Sequence, residues 1–134
     1  MADTPATFWD DLAEDLQDPE VLRTYVAESI RIETIDRLVN RLDEVREADG
    51  LTKAELARAI NAEPAVVRRL LSLGHRNPTI GTLVEVAAAL GLRVTLEPIP
   101  AGELDEITGT LRSGVIVDAH GLVQSMEARR RPAS

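Results

Sequence analysis

The stretch from residue 50 to residue 93 constrains the fold most, because start and stop signals for helices recur in it at short intervals. Thr52 and Glu55 have the spacing of a capping box, in which the two side chains satisfy free backbone N–H groups at the start of a helix. Asn61 predicts a tight turn, and Pro64 suits the first position of the next helix. The pattern therefore predicts two short helices separated by a tight turn.

Apolar side chains recur at helical spacing in three segments of this stretch, which gives each segment one apolar stripe. The stripes consist of Leu56, Ala57 and Ile60, then Val67, Leu70 and Leu71, then Ile80, Leu83, Val84, Ala87 and Leu90, the last ended by Gly91. Short helices are stable only when such stripes pack together. The three aromatic residues all lie within the first 25 positions, so the later core must consist of Leu, Ile, Val and Ala.

These residues resemble the Cro/C1-type (XRE) helix-turn-helix family over about 45 of the 134 residues. Leu51-Thr52-Lys53-Ala54-Glu55-Leu56-Ala57 resembles the opening motif of that family. Arg76-Asn77-Pro78-Thr79, with the later Leu90-Gly91-Leu92, is similar to its closing motif. The resemblance implies a lambda-repressor-like domain whose second short helix enters the major groove of DNA. We therefore expect a mostly α fold: a helix-turn-helix domain, an N-terminal helical arm and a short C-terminal strand.

The family pattern also implies which residues bind DNA. Base-edge positions are implied for Pro64, Ala65, Arg68 and Arg69, and phosphate contacts for Thr52, Lys53, Arg76 and Asn77. Arginine can bond guanine with two hydrogen bonds. Pro64 and Ala65 offer no side-chain donor or acceptor, which puts specific readout in doubt and leaves an apolar contact with a thymine methyl group.

Each of these positions also has a purely structural interpretation. Arg68 and Arg69 suit a solvated helix face with ion pairs. Thr52 suits a helix cap, and Asn77 with Pro78 suits the turn before the next helix. Both sets of interpretations stay open at the level of the sequence.

Charge is unevenly distributed along the chain, whose net charge is −8. Residues 1–49 hold 5 basic and 14 acidic side chains, residues 50–93 hold 6 and 3, and residues 94–134 hold 4 and 6. An acidic front half thus precedes a mildly basic middle. Such asymmetry favours different partners for the two parts of the surface.

A helical pattern runs from Pro19 to about Ala48, but its apolar face changes direction. Leu22, Tyr25, Val26 and Ile30 share one face, whereas Ile35, Leu38, Val39, Leu42 and Val45 share a face rotated by roughly 130° at ~100° per residue. One straight helix in one core would not show this rotation. Either the chain breaks near Ser29–Thr34, or one long helix buries its first half against a partner outside its own domain core.

The front of the chain, with Leu16-Gln17-Asp18-Pro19-Glu20 followed by Tyr25, is similar to HigA-type antitoxins. This resemblance implies a homodimer that represses its own operon and blocks a small basic RNase toxin of the HigB/RelE type. The expected partner-binding residues are Phe8, Trp9, Leu12, Leu16, Leu22, Tyr25 and Val26, since Trp and Tyr are enriched at binding hot spots. The alternative is that this arm folds back on its own domain or orders only in the dimer.

The end of the chain carries weaker signals. Arg93–Glu97 alternates with period two, which predicts a short strand whose unpaired edge suits pairing with a second copy. Val115–Val117 is a second possible strand. The expected organisation is an acidic helical arm (1–32), a helix-turn-helix domain (33–93), and a short strand with a partly ordered extension (94–134).

No motif of an enzyme is found: the sequence lacks a Gly-rich phosphate loop, Gly-x-Ser-x-Gly, and metal-ligand spacing. We therefore expect no catalysis, no metal and no cofactor. The chain has no cysteine, no apolar run of ~20 residues and no secretory signal pattern, so a cytoplasmic, membrane-free protein is expected. The favoured function is an autoregulating antitoxin; the alternatives are a stand-alone XRE-family regulator and a protein-binding adaptor that has lost specific DNA readout.

Overall fold

The computed structural model of the protein describes residues 6–72 and 77–130. The chain divides into two compact units. The central unit is Thr34–Glu97. The terminal unit joins the residues up to Glu33 to the residues from Pro98 onward. Each unit has its own apolar core.

The central unit contains the second half of helix α2 (Pro19–Ala48) and the helices α3 (Lys53–Ala59), α4 (Pro64–Leu70) and α5 (Ile80–Ala89). The predicted capping box is present at the start of α3: Thr52 Oγ1 accepts from the N–H of Glu55 at 3.0 Å, and Glu55 Oε1 accepts from the N–H of Thr52 at 2.9 Å. Asn61 adopts a φ of 56° between α3 and α4. Asparagine tolerates this left-handed conformation better than most residues, which explains the tight turn at that position.

The core of the central unit is aliphatic throughout. Its buried members are Leu42, Leu56, Ala57, Val67, Leu70, Leu71, Leu83, Val86, Ala87 and Leu90. They come from helices α2 to α5, together with Leu71, which follows α4, and Leu90, which follows α5. The stripes predicted from the sequence thus meet in one core, with the exception of Ile80 and Val84, which are exposed.

The terminal unit contains α1 (Ala6–Asp15), the first half of α2, α6 (Ala101–Leu104), a π-helical segment (Asp105–Gly109), α7 (Thr110–Ser113) and α8 (Ala119–Arg130). Its buried apolar members are Ala13, Leu16, Leu22, Val26, Ile107, Ala119, Leu122, Val123 and Met126. Most of the expected partly ordered extension therefore forms half of a helical core.

Helix α2 is continuous from Pro19 to Ala48, so the predicted alternative of a break near Ser29–Thr34 is wrong. Its first half contributes Leu22 and Val26 to the core of the terminal unit, and its second half contributes Leu42 to the core of the central unit. The rotation of the apolar face is thereby explained. The side chains of Leu22 and Val26 pack with residues near the start of the chain and with residues of its C-terminal part.

The predicted strands are also wrong. Residues 92–100 form neither helix nor strand, and residues 114–118 form the loop between α7 and α8. Alternating side chains make a strand only when a neighbouring strand completes the backbone hydrogen bonds. Leu96 and Val117 are almost fully exposed, at 98% and 102% of their reference areas.

Polar contacts connect the N-terminal and C-terminal parts of the terminal unit. Arg23 Nε and Nη2 donate to the carbonyl oxygens of Leu111 and Arg112 at 2.9 and 3.1 Å. These two carbonyl groups near the end of α7 thereby gain hydrogen-bond donors. Gly114 ends α7 with a φ of +72°, and a Cβ there would lie 2.9 Å from Cζ of Arg23. Glycine is therefore required at this position both for its backbone conformation and for the approach of Arg23.

A nearly buried ion cluster lies at the end of α8. Arg129 contacts the carboxylates of Glu33, at 3.4 Å, and of Glu103. Burial acts to lower the pKa of Arg129, but the hydrogen bond and charge of Glu103, together with Glu33, outweigh it and raise that pKa.

Within the described ranges, no helix is long and apolar enough to cross a membrane.

Candidate nucleic-acid interface

In the α3–turn–α4 region, one side of α4 is buried and the other is exposed. Val67 and Leu70 are buried and fix the inner side of α4. At 3.6 residues per turn, Ala65, Arg68 and Arg69 then lie on the outer side, and all three are exposed. Pro64, at the first position of α4, is half-buried. The four base-edge residues implied by the sequence therefore include three that the fold leaves accessible.

Arg68 and Arg69 carry the positive charge of α4. Among the residues that the structure describes, no carboxylate pairs with either guanidinium. The alternative of a helix face stabilised by ion pairs therefore has no support in these contacts. Both side chains have the five fixed donors that suit guanine or phosphate.

Thr52 and Lys53 lie at the start of α3, where a phosphate contact is expected. The structural interpretation of Thr52 as a cap is correct, because its hydroxyl oxygen accepts from Glu55. The backbone hydrogen bond from Thr52 to the Glu55 carboxylate, followed by the hydroxyl contact, lowers the pKa of Glu55. Lys53 is half-buried.

The residues before α5, like Thr52, have both a structural interpretation and an expected phosphate contact. Arg76 lies outside the described residues. Asn77 is exposed, and with Pro78 it lines a shallow groove beside Ile35 and Ile80. Helix α5 is capped by Thr79, whose Oγ1 accepts from the N–H of Thr82 at 3.2 Å. The cap on α5 is the Thr79 side chain, and Asn77 and Pro78 lead the chain into it.

Among the described residues of the stretch 50–93, two further basic side chains are exposed: Arg58 on α3 and Arg93 after α5. The motif comparison did not single them out. The excess of basic residues over residues 50–93 was the only signal for them in the sequence.

The expected partner-binding residues fall into two groups in the terminal unit. Leu16, Leu22 and Val26 are fully buried in its core. The expectation that these three contact a partner needs correction, because α8 and the π-helical segment cover them. Leu12 and Tyr25 are half-buried.

Phe8 and Trp9 remain accessible on α1. Their rings meet edge to face, with centroids 4.9 Å apart and an angle of 85° between the planes. Phe8 is 50% exposed and Trp9 is half-buried. Of the seven expected residues, these two present aromatic surface at the start of the chain.

Tyr25 has a partner on α8. Its hydroxyl donates to Glu127 Oε1 at 3.1 Å, and Cζ of Arg130 lies 5.7 Å from the ring centroid. Burial, followed by the charge and hydrogen bond of Glu127, raises the pKa of Tyr25 well above its ordinary value. Tyr25 therefore serves as a neutral donor within the terminal unit.

Comparisons with known proteins identify the central unit. The helix-turn-helix family model matches residues 42–96, from the last turns of α2 to the irregular segment after α5. Neither the curated proteins nor the solved structures give a match. The Cro/C1-type resemblance is thus confirmed for this segment, and it supports a DNA-binding regulator of that type.

Proposed function

We propose that this helix-turn-helix protein is a transcriptional repressor that binds duplex operator DNA as a homodimer. The observation that carries the proposal is that α4 has one buried apolar side and one exposed basic side. Val67 and Leu70 fix the helix to its core, while Arg68 and Arg69 point outward without carboxylate partners among the described residues. A recognition helix needs this combination of rigidity and accessible donors.

The readout proposed for α4 is limited by its first two residues. Arg68 and Arg69 suit guanine edges, and Ala65 suits a thymine methyl group. Pro64 and Ala65 add no hydrogen bonds, so phosphate contacts from Lys53 and its neighbours contribute a large share of the affinity. The operator preference should therefore rest on few base pairs in each half-site.

The dimer is proposed because one domain of this type contacts only one half-site. The irregular segment of residues 92–100 is the proposed dimer contact. Val94 and Leu96 are exposed there, and the segment forms no strand within its own chain. A second copy could complete the missing hydrogen bonds by edge-to-edge pairing.

We further propose that the repressor is the antitoxin of a type II pair, neutralising a small basic RNase of the HigB/RelE type and repressing their shared operon. The supporting observation is the division of charge between the units. The terminal unit holds 14 acidic and 6 basic residues, whereas the central unit holds 9 of each. The whole net charge of −8 therefore belongs to the unit that does not contain the helix-turn-helix. An RNase binds RNA phosphates through basic surface, which this acidic unit complements.

Footprinting of the DNA upstream of the chain's own gene tests the repressor proposal. We expect protection of two related half-sites about one helical turn apart, centre to centre ~34 Å. No protection upstream, combined with no enriched site in a selection from random duplexes, would favour the adaptor function.

Co-expression tests the antitoxin proposal. The partner to test is a small basic protein encoded beside this gene. We expect its expression to arrest growth and the full-length chain to restore it. Absence of such a neighbour, or arrest that the chain does not relieve, would leave a stand-alone regulator.

A further inference from the structure

We infer that the groove between α1 and α8 is the docking site for the basic partner, which inserts an apolar side chain beside Trp9. The inference rests on the proposed antitoxin function and assigns it to a place in the terminal unit. The groove has a volume of about 450 Å³ and is lined by Trp9, His120, Val123, Gln124 and Glu127. This size falls within the usual range for sites that hold a ligand or an anchoring side chain.

The floor and walls of the groove differ in polarity. Val123 is buried and forms an apolar floor, and Trp9 provides an aromatic wall. Gln124 is exposed on α8, and His120 Nε2 lies 3.0 Å from Asp10 Oδ1, which links α8 to α1 beside the groove. An apolar centre with a polar edge is the usual arrangement of a protein-binding hot spot.

Aromatic surface is concentrated at this groove although the rest of the chain has little. The sequence holds one Trp, one Tyr and one Phe, and Phe8 packs edge to face on Trp9. Phe8 keeps half of its surface exposed. Because half of the surface of the chain's only Phe stays in water, the protein lacks the hydrophobic stabilisation that burial of this ring would give. A partner that covers Phe8 and Trp9 would recover it.

The rim of the groove selects for a basic partner. Asp10 lies at the groove through its contact with His120, and helix α1, which contains no basic residue, carries further exposed carboxylates on Asp11, Glu14 and Asp15. Glu127 adds a carboxylate on the opposite wall, where the hydroxyl of Tyr25 holds it at 3.1 Å. Acidic side chains around an apolar centre attract a basic protein and raise its association rate.

Arg129, at the end of α8, is compensated by carboxylates, whereas Arg130 keeps its charge beside neutral partners; the terminal unit as a whole still holds 14 acidic and 6 basic residues. Arg129 contacts Glu33 and Glu103. Arg130 donates to Ser29 at 2.7 Å and lies over the ring of Tyr25. The occupant that fits is therefore a Lys- and Arg-rich protein that presents one large aliphatic or aromatic side chain at the centre of its contact surface.

The test is calorimetric titration of the full-length chain with the basic protein encoded beside its gene, made catalytically inactive for production. We expect Trp9→Ala to weaken binding about 30-fold, as for a hot-spot residue. Gln124→Arg puts a bulky cation into the groove from an exposed position, where it does not disturb the core. We expect it to weaken binding at least as much.

Two variants in the same unit but outside the groove serve as matched controls. Val117→Arg adds the same charge at a fully exposed loop position, and Val115→Ala removes apolar surface from the same loop. Both should bind the partner within about threefold of wild type. Circular dichroism and operator binding of all four variants should match wild type, which shows that both units are folded.

The outcomes separate the inference from the function on which it rests. If wild type binds but both groove variants bind within threefold of it, the groove is not the docking site and the antitoxin function stands. If wild type does not bind the neighbouring protein, the antitoxin function fails and the inference fails with it. If the groove variants instead convert a dimer of this chain into monomers in sedimentation, the occupant is a second copy and the inference is wrong.

Discussion

Arg130 Nη2 donates a hydrogen bond of 2.7 Å to Oγ of Ser29, joining the last turn of α8 to α2 across 101 positions of sequence. Ser29 is fully buried, and a buried hydroxyl without a partner would be costly. The arginine also lies over the ring of Tyr25. The C-terminal helix is therefore an integral part of the terminal unit, in which it packs with the N-terminal helical arm.

Truncation of the buried Met126 should destabilise the terminal unit. Met126 is completely buried on α8 among residues of α2 and the π-helical segment. We expect Met126→Ala to cost about 2–5 kcal/mol of the free energy of unfolding. Urea unfolding followed by the fluorescence of Trp9, the chain's single Trp, reports this unit. Val117→Ala, at a fully exposed site, should stay within about 0.5 kcal/mol of wild type. Equal losses for the two variants would contradict the assigned core.

Removal of the Arg129 guanidinium should cost more than removal of an exposed one. Arg129→Met leaves Glu33, whose side chain is only 10% exposed, without this cation. We expect a loss of about 3 kcal/mol, the lower end for a broken buried pair. Arg31→Met affects an exposed pair with Glu28 and should cost less than about 1 kcal/mol. The same Trp9 fluorescence measurement checks both, and a smaller loss for Arg129→Met than for Arg31→Met would contradict the account.

The stabilisation from Glu55 should depend on pH. The pKa of Glu55 is lowered from 4.5 in the folded state, chiefly because its carboxylate accepts the N–H of Thr52. Its contribution is therefore fully present above the ordinary pKa and is lost as the pH falls through the lowered value. Glu55→Gln keeps the shape and removes the charge. The difference in unfolding free energy between wild type and this variant, measured by circular dichroism, should shrink between pH 7 and pH 3. A difference that stays constant over this range would show that the charge has no role in the cap.

Much of the central unit could be predicted from the sequence because its signals are local. Thr52, Asn61 and Pro64 each act within four residues of themselves, and the structure places the cap, the turn and the helix start where these residues indicate. The exposed side of α4 followed from the spacing of Val67 and Leu70. The contacts of these residues with DNA remain predictions.

The terminal unit was harder to predict because its core joins residues that lie about a hundred positions apart. A signal did exist: Ala119, Leu122, Val123 and Met126 recur at helical spacing. The run of arginines after them favoured a frayed end instead. The alternation in Arg93–Glu97 predicted a strand, but a strand also needs a neighbour, which local patterns do not provide. The location of the groove beside Trp9 depends on the same distant packing and could not be predicted.

A charge placed on Leu96 should dissociate the proposed dimer without destabilising the chain. The side chain is 98% exposed, so Leu96→Asp removes almost no packing within the chain. If the segment of residues 92–100 pairs with a second copy, we expect this variant to sediment as a monomer at concentrations where wild type is a dimer. Val117→Asp, equally exposed but outside the segment, should remain dimeric. Identical sedimentation of wild type and Leu96→Asp would exclude this segment from the dimer contact.

We propose that α4 reads duplex DNA through Arg68 and Arg69. A fluorescence anisotropy titration of the protected operator fragment tests this proposal most directly. Each arginine should contribute about 1–3 kcal/mol, so the folded double variant R68A/R69A should bind at least about 30-fold more weakly than wild type. Arg112→Ala removes an exposed arginine from the terminal unit and should bind within about threefold of wild type. An unchanged Kd for the folded double variant would contradict the claim.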